Sequence, residues 1–128
     1  MSEVLSQMNE HRSVRVFKPD PVADALIEEI LEGARKAPTS HHLQPYSVIR
    51  VKGPAKRRRL AELAGGQQYV APASVFLIDY YKHHMLANRY ETPLHLQEID
   101  NLLVGALDTG IIAENALLAA QSKGLGRK

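Results

Sequence analysis

The sequence predicts an α+β fold in which helices flank a small mixed or antiparallel sheet and one long helix is buried at the centre. Two short segments with strand composition lie among three or four segments with helical periodicity. Near the end of the chain, an apolar stretch runs for much longer than any strand. The length of 128 residues is within the range of one ordinary domain.

Two segments are predicted to be strands. Residues 46–51 are rich in strand-favoured side chains and are followed by a break at Gly53 and Pro54. Residues 74–80 contain four consecutive apolar side chains, which is typical of a strand covered on both faces.

Three helices are predicted before the long one. Residues 4–8 have the length of a short first helix, and residues 56–64 are predicted to be helical up to the two glycines that follow. Residues 22–37 are predicted to be a helix that Pro38 ends. One apolar stripe of this helix consists of Leu26, Ile27, Ile30, Leu31 and Ala34. Residues 83–93 are polar and irregular, and we expect a loop or a short helix there.

The longest predicted helix covers residues 96–123 and is apolar on nearly every face. A helix of this kind must be buried on nearly every side, which one small domain rarely achieves. We therefore expect a partner subunit to cover part of it. Small residues that allow close approach of another backbone are Gly105, Ala106, Gly110 and Ala113.

Composition excludes several classes of function. The chain is 45% hydrophobic and 23% charged, has a formal charge of +2 and contains no cysteine. Neither nucleic acid nor a membrane is therefore expected as the main partner. Asp108, Glu114 and Asn115 interrupt the most apolar stretch, which a membrane span would rarely tolerate. Because the N-terminus also lacks the apolar core of a secretory signal, we expect a cytoplasmic protein.

The first candidate site is the segment His11-Arg12-Ser13-Val14-Arg15. Two guanidinium groups and a hydroxyl are the donors that suit a phosphate monoester. A solvated basic loop explains the same residues without any ligand.

Two further segments have the composition of ligand-binding loops. Residues 37–46 form a polar loop between a helix and a strand, and residues 65–73 combine two glycines with Gln67. A helix end followed by a strand start explains most of the first segment, and an ordinary helix cap and loop is favoured for the second when it is taken alone.

Two other patterns are set aside. The basic run at residues 56–59 is compatible with a nucleic-acid patch, but a solvated helix face is favoured because Glu62 follows it. The histidines His41, His42, His83, His84 and His95 lack the spacing of zinc motifs, so no metal site is expected.

Taken in order, these segments resemble the nitroreductase family. The chain contains HRSVRVF, then APTS at a predicted helix end, QPY before one strand and GGQ with VAPA before the next. It closes with DTGIIAENALLAAQSKGLG, which is similar to the long central helix of that family. The resemblance extends from Leu5 to Gly126, and the branch it resembles most is the oxygen-insensitive NADPH nitroreductases and NADPH–flavin reductases.

The resemblance implies an FMN-dependent, NAD(P)H-linked oxidoreductase that is a homodimer. In this family, the flavin accepts hydride and passes electrons to nitroaromatics, quinones or free flavin in a ping-pong cycle. Protein side chains do little acid–base chemistry there, so no catalytic residue is expected. Small molecules are accordingly the expected substrates.

The resemblance also implies a set of cofactor-binding residues. His11, Arg12 and Ser13 match residues that hold the FMN phosphate, and Arg15 matches one at the pyrimidine edge of the flavin. Thr39 and Ser40 match a loop that reaches the flavin of the other subunit. Gln67 matches a position that hydrogen-bonds the isoalloxazine ring.

The chain departs from the family in length and at two positions. Family members are roughly twice as long, so residues 1–128 are predicted to be the N-terminal portion of a single nitroreductase-type domain that is incomplete at its C-terminus. A fragment, a truncated gene product and a degenerate, non-catalytic interaction subunit are all compatible with this. Many members have Asn in place of His42 and Trp in place of Tyr46, which leaves His42 without an expected role.

Overall fold

The computed structural model describes residues 2–73, 77–81 and 99–126. In chain order, the elements are α1 (Glu3–Asn9), α2 (Asp24–Ala34), a short 3-10 helix (Ser40–His42), β1 (Tyr46–Arg50), α3 (Pro54–Leu63), β2 (Leu77–Tyr81) and α4 (Ile99–Ser122). Helices around a small sheet, with one long helix, confirm the predicted α+β class. The predicted loop at residues 83–93 lies outside the described residues.

The two strands pair antiparallel, with Tyr46 opposite Tyr81 and Arg50 opposite Leu77. Both predicted strands are therefore confirmed within one or two residues, over the part of each that the structure describes. Antiparallel pairing agrees with the predicted mixed or antiparallel sheet.

Helix α2 is shorter than the predicted span of residues 22–37. Ala23 has extended ψ of 137° and acts as the N-cap, and the last helical residue is Ala34. The chain then turns through hydrogen bonds from Lys36 N to Gly33 O and from Ala37 N to Ala34 O. Pro38 disfavours helical geometry at the residue before it, so the tight turn replaces a further helical turn.

The core lies where α2 packs against α4. Ile27, Ile30 and Ala34 of α2 are buried, and Ile112 of α4 is 0% exposed. A Cβ on Gly33 would lie 3.4 Å from Ala119 Cβ, so the helices approach closely at this point.

One face of α4 remains exposed in this chain. The large apolar side chains on it are Ile99, Leu102, Leu103, Leu107, Ile111 and Leu117. Residues Leu102–Ser122 are long and apolar enough to cross a membrane, a property that the core helix of a soluble protein shares. The exposure agrees with the expectation that this chain cannot cover the helix alone.

The prediction that the basic run is a solvated helix face is wrong for Arg57. Its side chain is half-buried, and its Nε donates to Val51 O at 2.9 Å while its Nη1 donates to Ala73 O. Arg57 thereby joins α3 to the chain after β1 and to the segment that leads toward β2. Arg58 is exposed, and Arg59 pairs with Glu62 at 2.8 Å.

An ion pair connects the end of β1 to the start of α2. Arg50 Nη1 lies 2.7 Å from Asp24 Oδ1. The hydrogen bond from Arg50, its charge and the charge of Lys52 lower the pKa of Asp24 below its ordinary value. An aspartate whose pKa is lower in the folded protein stabilises the fold above its unfolded pKa, and this contribution is lost as the pH falls through the folded pKa.

We therefore expect Asp24→Asn to lower the urea midpoint slightly at pH 7, and the difference from the parent to shrink below about pH 4 and to disappear once the pH is below the lowered pKa of Asp24. The effect is small because the pair is solvent-exposed. Urea unfolding at several pH values measures it, and Asp20→Asn controls for the loss of one negative charge. A difference that grows as the pH falls would contradict the assignment.

Candidate functional site

The predicted phosphate-binding segment follows the C-terminus of α1 and has no regular secondary structure. It borders an open cavity of about 820 Å³, to which the C-terminal end of α4 also contributes. Arg12, Ser13 and Arg15 line this cavity together with Gln121 and Gly126. Three of the four predicted residues in this segment therefore meet at one cavity.

Arg12 is exposed and folded back toward the end of α1. Its Nη1 donates to His11 O at 2.7 Å and to Asn9 O at 3.5 Å. Both bonds use the same nitrogen, and a guanidinium has five N–H donors in all. These two bonds therefore occupy only one of its three nitrogens.

His11 contacts the far end of the chain through Gln121. Gln121 Nε2 donates to His11 Nδ1, which joins residues separated by 110 positions. Gln121 Oε1 is buried and has no hydrogen-bond partner among the described residues.

The second predicted loop, at residues 37–46, is hydrogen-bonded to a buried side chain of α4. Asp108 of α4 is 5% exposed, and Ser40 N donates to its Oδ1 at 3.2 Å and to its Oδ2 at 3.0 Å. Gln44 N donates to Thr39 Oγ1 at 3.2 Å. Thr39 and Ser40 do not line the cavity beside Arg12.

Gln67 also lies apart from that cavity. It is exposed, and its Oε1 accepts a hydrogen bond from the hydroxyl of Tyr69. Gly65 and Gly66 before it have φ of 78° and 75°, so the backbone takes the left-handed turn for which glycine is suited. Among the predicted cofactor residues, all of which the structure describes, this cavity is therefore lined by Arg12, Ser13 and Arg15.

Sequence reasoning missed two residues at these sites. Gln121 orients the ring of His11, and Asp108 holds the amide of Ser40. Asp108 was visible as a carboxylate inside an apolar helix, whereas Gln121 has no local signal. No group of three or more possible metal ligands occurs in the described part of the chain, which includes His41 and His42.

Comparison with known proteins places this geometry in a family. Residues 8–127 match the sequence model of the Nitroreductase family. An NADPH-dependent oxidoreductase from Staphylococcus epidermidis is 38% identical over 130 residues, covering 96% of this chain and 51% of the relative. One from Staphylococcus aureus is 36% identical over 132 residues, covering 98% of this chain and 52% of the relative.

Solved structures agree with the sequence relatives. Nitroreductase A from Vibrio parahaemolyticus superposes with a TM-score of 0.91 at 35% identity, over 97% of this chain and 52% of that one. The NADPH:FMN oxidoreductase from Vibrio harveyi complexed with NAD+ gives 0.90 at 34% identity, over 96% and 53%. The chain spans about half the length of the relatives that it matches.

Proposed function

The chain belongs to the nitroreductase family, and from this premise we propose that it is the FMN-binding N-terminal portion of an NAD(P)H-dependent oxidoreductase. The observation that carries the proposal is the cavity bordered by Arg12, Ser13 and Arg15. The family match covers the same segment. NAD(P)H is the proposed electron donor.

The side chains at the cavity fit a flavin mononucleotide by their donor chemistry. Two guanidinium groups and a hydroxyl provide charge-assisted and neutral donors for a phosphate. The volume of about 820 Å³ falls within the range of small-molecule and cofactor pockets.

Each residue has a proposed task in holding the cofactor. Arg12, Ser13 and His11 would hold the phosphate, and Arg15 would place a cation at the edge of the ring system, where it would stabilise negative charge. Thr39 and Ser40 would contact the flavin of the other subunit, and Gln67 would hydrogen-bond the ring system. When bound, FMN would supply a ping-pong transfer of electrons from NAD(P)H to a nitroaromatic, a quinone or free flavin.

A purified sample tests the proposal directly. We expect a protein that binds FMN and catalyses NAD(P)H-dependent reduction of a nitroaromatic. The loss of NAD(P)H absorbance measures this reaction. FMN binding without turnover would favour the second candidate, a non-catalytic interaction subunit. The specific observation behind that candidate is the coverage of only about half of each relative. Failure to bind FMN under any condition would overturn the cofactor assignment.

The exposed face of α4 supports a proposal of self-association. Leu103, Leu107 and Ile111 follow one another at four-residue spacing along this face. A Cβ on Gly110 would meet nothing within 4 Å, so there is space beside the helix backbone. A second copy of α4 has the apolar side chains to cover this face, and we propose that the protein is a homodimer paired here.

Leu107→Asp is expected to convert the dimer to a monomer, because it places a charge on the proposed interface. Size-exclusion chromatography with light scattering measures the mass. Leu63→Asp on α3 is the matched control, since both leucines are 67% exposed, and it should leave the mass unchanged. A monomeric parent would show that a second copy does not cover the face.

A further inference from the structure

Asp108 is a buried carboxylate in an otherwise apolar part of α4. It is 5% exposed and lies on the same side of the helix as Gly105 and Ile112, which are also buried. Burying a charge is costly unless hydrogen bonds compensate for it. Both of its oxygens lie within hydrogen-bond distance of the backbone amide of Ser40, a contact between residues 68 positions apart.

The loop that Asp108 holds has an unfavourable backbone. His41, His42 and Gln44 have φ of 51°, 54° and 52°, values in the left-handed region that residues other than glycine rarely adopt. Such conformations persist only when the surrounding structure enforces them. Within the loop, His42 N donates to Thr39 O at 3.0 Å and Gln44 N donates to Thr39 Oγ1 at 3.2 Å.

These local bonds fix the shape of the loop but do not attach it to the rest of the fold. The contact with Asp108 does, because it connects the first amide of the 3-10 helix to the central helix. The neighbouring Leu107 lies on the exposed apolar face of α4. One turn of the helix therefore both holds the loop and contributes to the proposed dimer interface.

We propose that Asp108 is a positioning residue that fixes the loop carrying Thr39 and Ser40, and thereby sets the affinity for the cofactor without contacting it. The inference rests on the proposed function where it concerns FMN, and on the contact with Ser40 where it concerns the loop.

The first test needs no cofactor. Amide hydrogen exchange, followed by NMR on the ligand-free chain, reports the protection of the Ser40 amide. We expect this amide to exchange at least tenfold faster in Asp108→Ala than in the parent. Asp108→Asn keeps one acceptor oxygen and should fall between the two. The amide of Ile30, in the core of α2, is the internal reference and should not change.

The second test is an FMN titration by fluorescence quenching. Asp108→Ala should raise the Kd by about tenfold and Asp108→Asn by less. Glu114→Gln removes the same charge from an exposed position of the same helix and should leave the Kd within about twofold of the parent. The Kd for FMN should therefore rise in the order Glu114→Gln, Asp108→Asn, Asp108→Ala. This order distinguishes a positioning role of Asp108 from a general effect of losing one charge.

The outcomes separate this inference from the proposed function. A parent that binds no FMN contradicts the proposed function, and the exchange of Ser40 still decides whether Asp108 fixes the loop. Unchanged exchange at Ser40 in folded Asp108→Ala overturns the inference, even if FMN binds normally. If Asp108→Ala does not fold, the exchange rate of the Ser40 amide in Asp108→Asn tests the inference instead. Faster exchange at Ile30 as well as at Ser40 would show that Asp108 has a merely structural role.

Discussion

Replacing Arg12 by alanine is expected to weaken FMN binding by tenfold or more. A hydrogen bond to a charged group contributes roughly 1.5–3 kcal/mol, and 1.4 kcal/mol corresponds to a factor of ten in affinity. Arg12 lines the cavity, and its two bonds to carbonyls use only one of its three nitrogens. Fluorescence quenching of FMN measures the ratio of the two dissociation constants.

A control must separate this effect from the loss of a positive charge anywhere on the surface. Arg58→Ala removes an exposed arginine from α3, away from the cavity. We expect it to bind FMN like the parent. Arg12→Lys should give an intermediate affinity, because an ammonium keeps the charge but loses the planar, bidentate arrangement of donors.

Arg12 also donates to two carbonyls at the end of α1, so its removal has a structural effect to exclude. Far-UV circular dichroism and a thermal melt of Arg12→Ala should match the parent, because α1 is short and the two bonds are exposed. Equal FMN affinity of Arg12→Ala and the parent would show that the segment is a solvated basic loop. The assignment of His11, Ser13 and Arg15 would then have to be withdrawn as well.

Most of the secondary structure could be predicted because it depends on local patterns. The apolar spacing of Ile27, Ile30 and Ala34 predicts one buried stripe, and all three side chains are buried. Gly65 and Gly66 end α3 with positive φ, as a glycine cap does. The end of α2 was predicted three residues too late, because apolar periodicity continues through a turn that a following proline disfavours.

The contacts that arrange the candidate site could not be predicted in this way. Gln121 reaches His11 across 110 positions, and Asp108 reaches Ser40 across 68. Only the packing of α4 brings these pairs together, and a single sequence contains no record of that packing. Arg57 is a similar case, since it resembles its neighbours in the basic run but bonds to two carbonyls.

The predicted cofactor residues also fall into a local group and a group that depends on long-range packing. Arg12, Ser13 and Arg15 are adjacent in sequence and meet at one cavity. Thr39, Ser40 and Gln67 are on other loops and do not line it. Their role remains a prediction from the resemblance, which assigns Thr39 and Ser40 to the flavin of the other subunit.

The largest expected loss of stability is at Ile112, where α4 packs on α2 and near β1. Its side chain is 0% exposed, and it borders a cleft of about 280 Å³ together with Leu31, Ala34 and Val48. Removing the buried methyl and methylene groups loses their transfer free energy and the contacts of the atoms around them. We expect Ile112→Ala to lower the free energy of unfolding by roughly 2–4 kcal/mol.

That loss is a large part of the total stability of a domain, which is about 5–15 kcal/mol. Urea unfolding followed by far-UV circular dichroism measures it, as a lower midpoint at an unchanged slope. Leu63→Ala is the matched control, because that leucine is 67% exposed on α3 and its truncation should change the free energy by about 0.5 kcal/mol or less. Ile112→Val should lie between the parent and Ile112→Ala. Equal urea midpoints for Ile112→Ala and Leu63→Ala would show that the contact between α2 and α4 is not the core of the fold. The inferences about Asp108 and Gln121 would then lose their basis, because they depend on the position of α4.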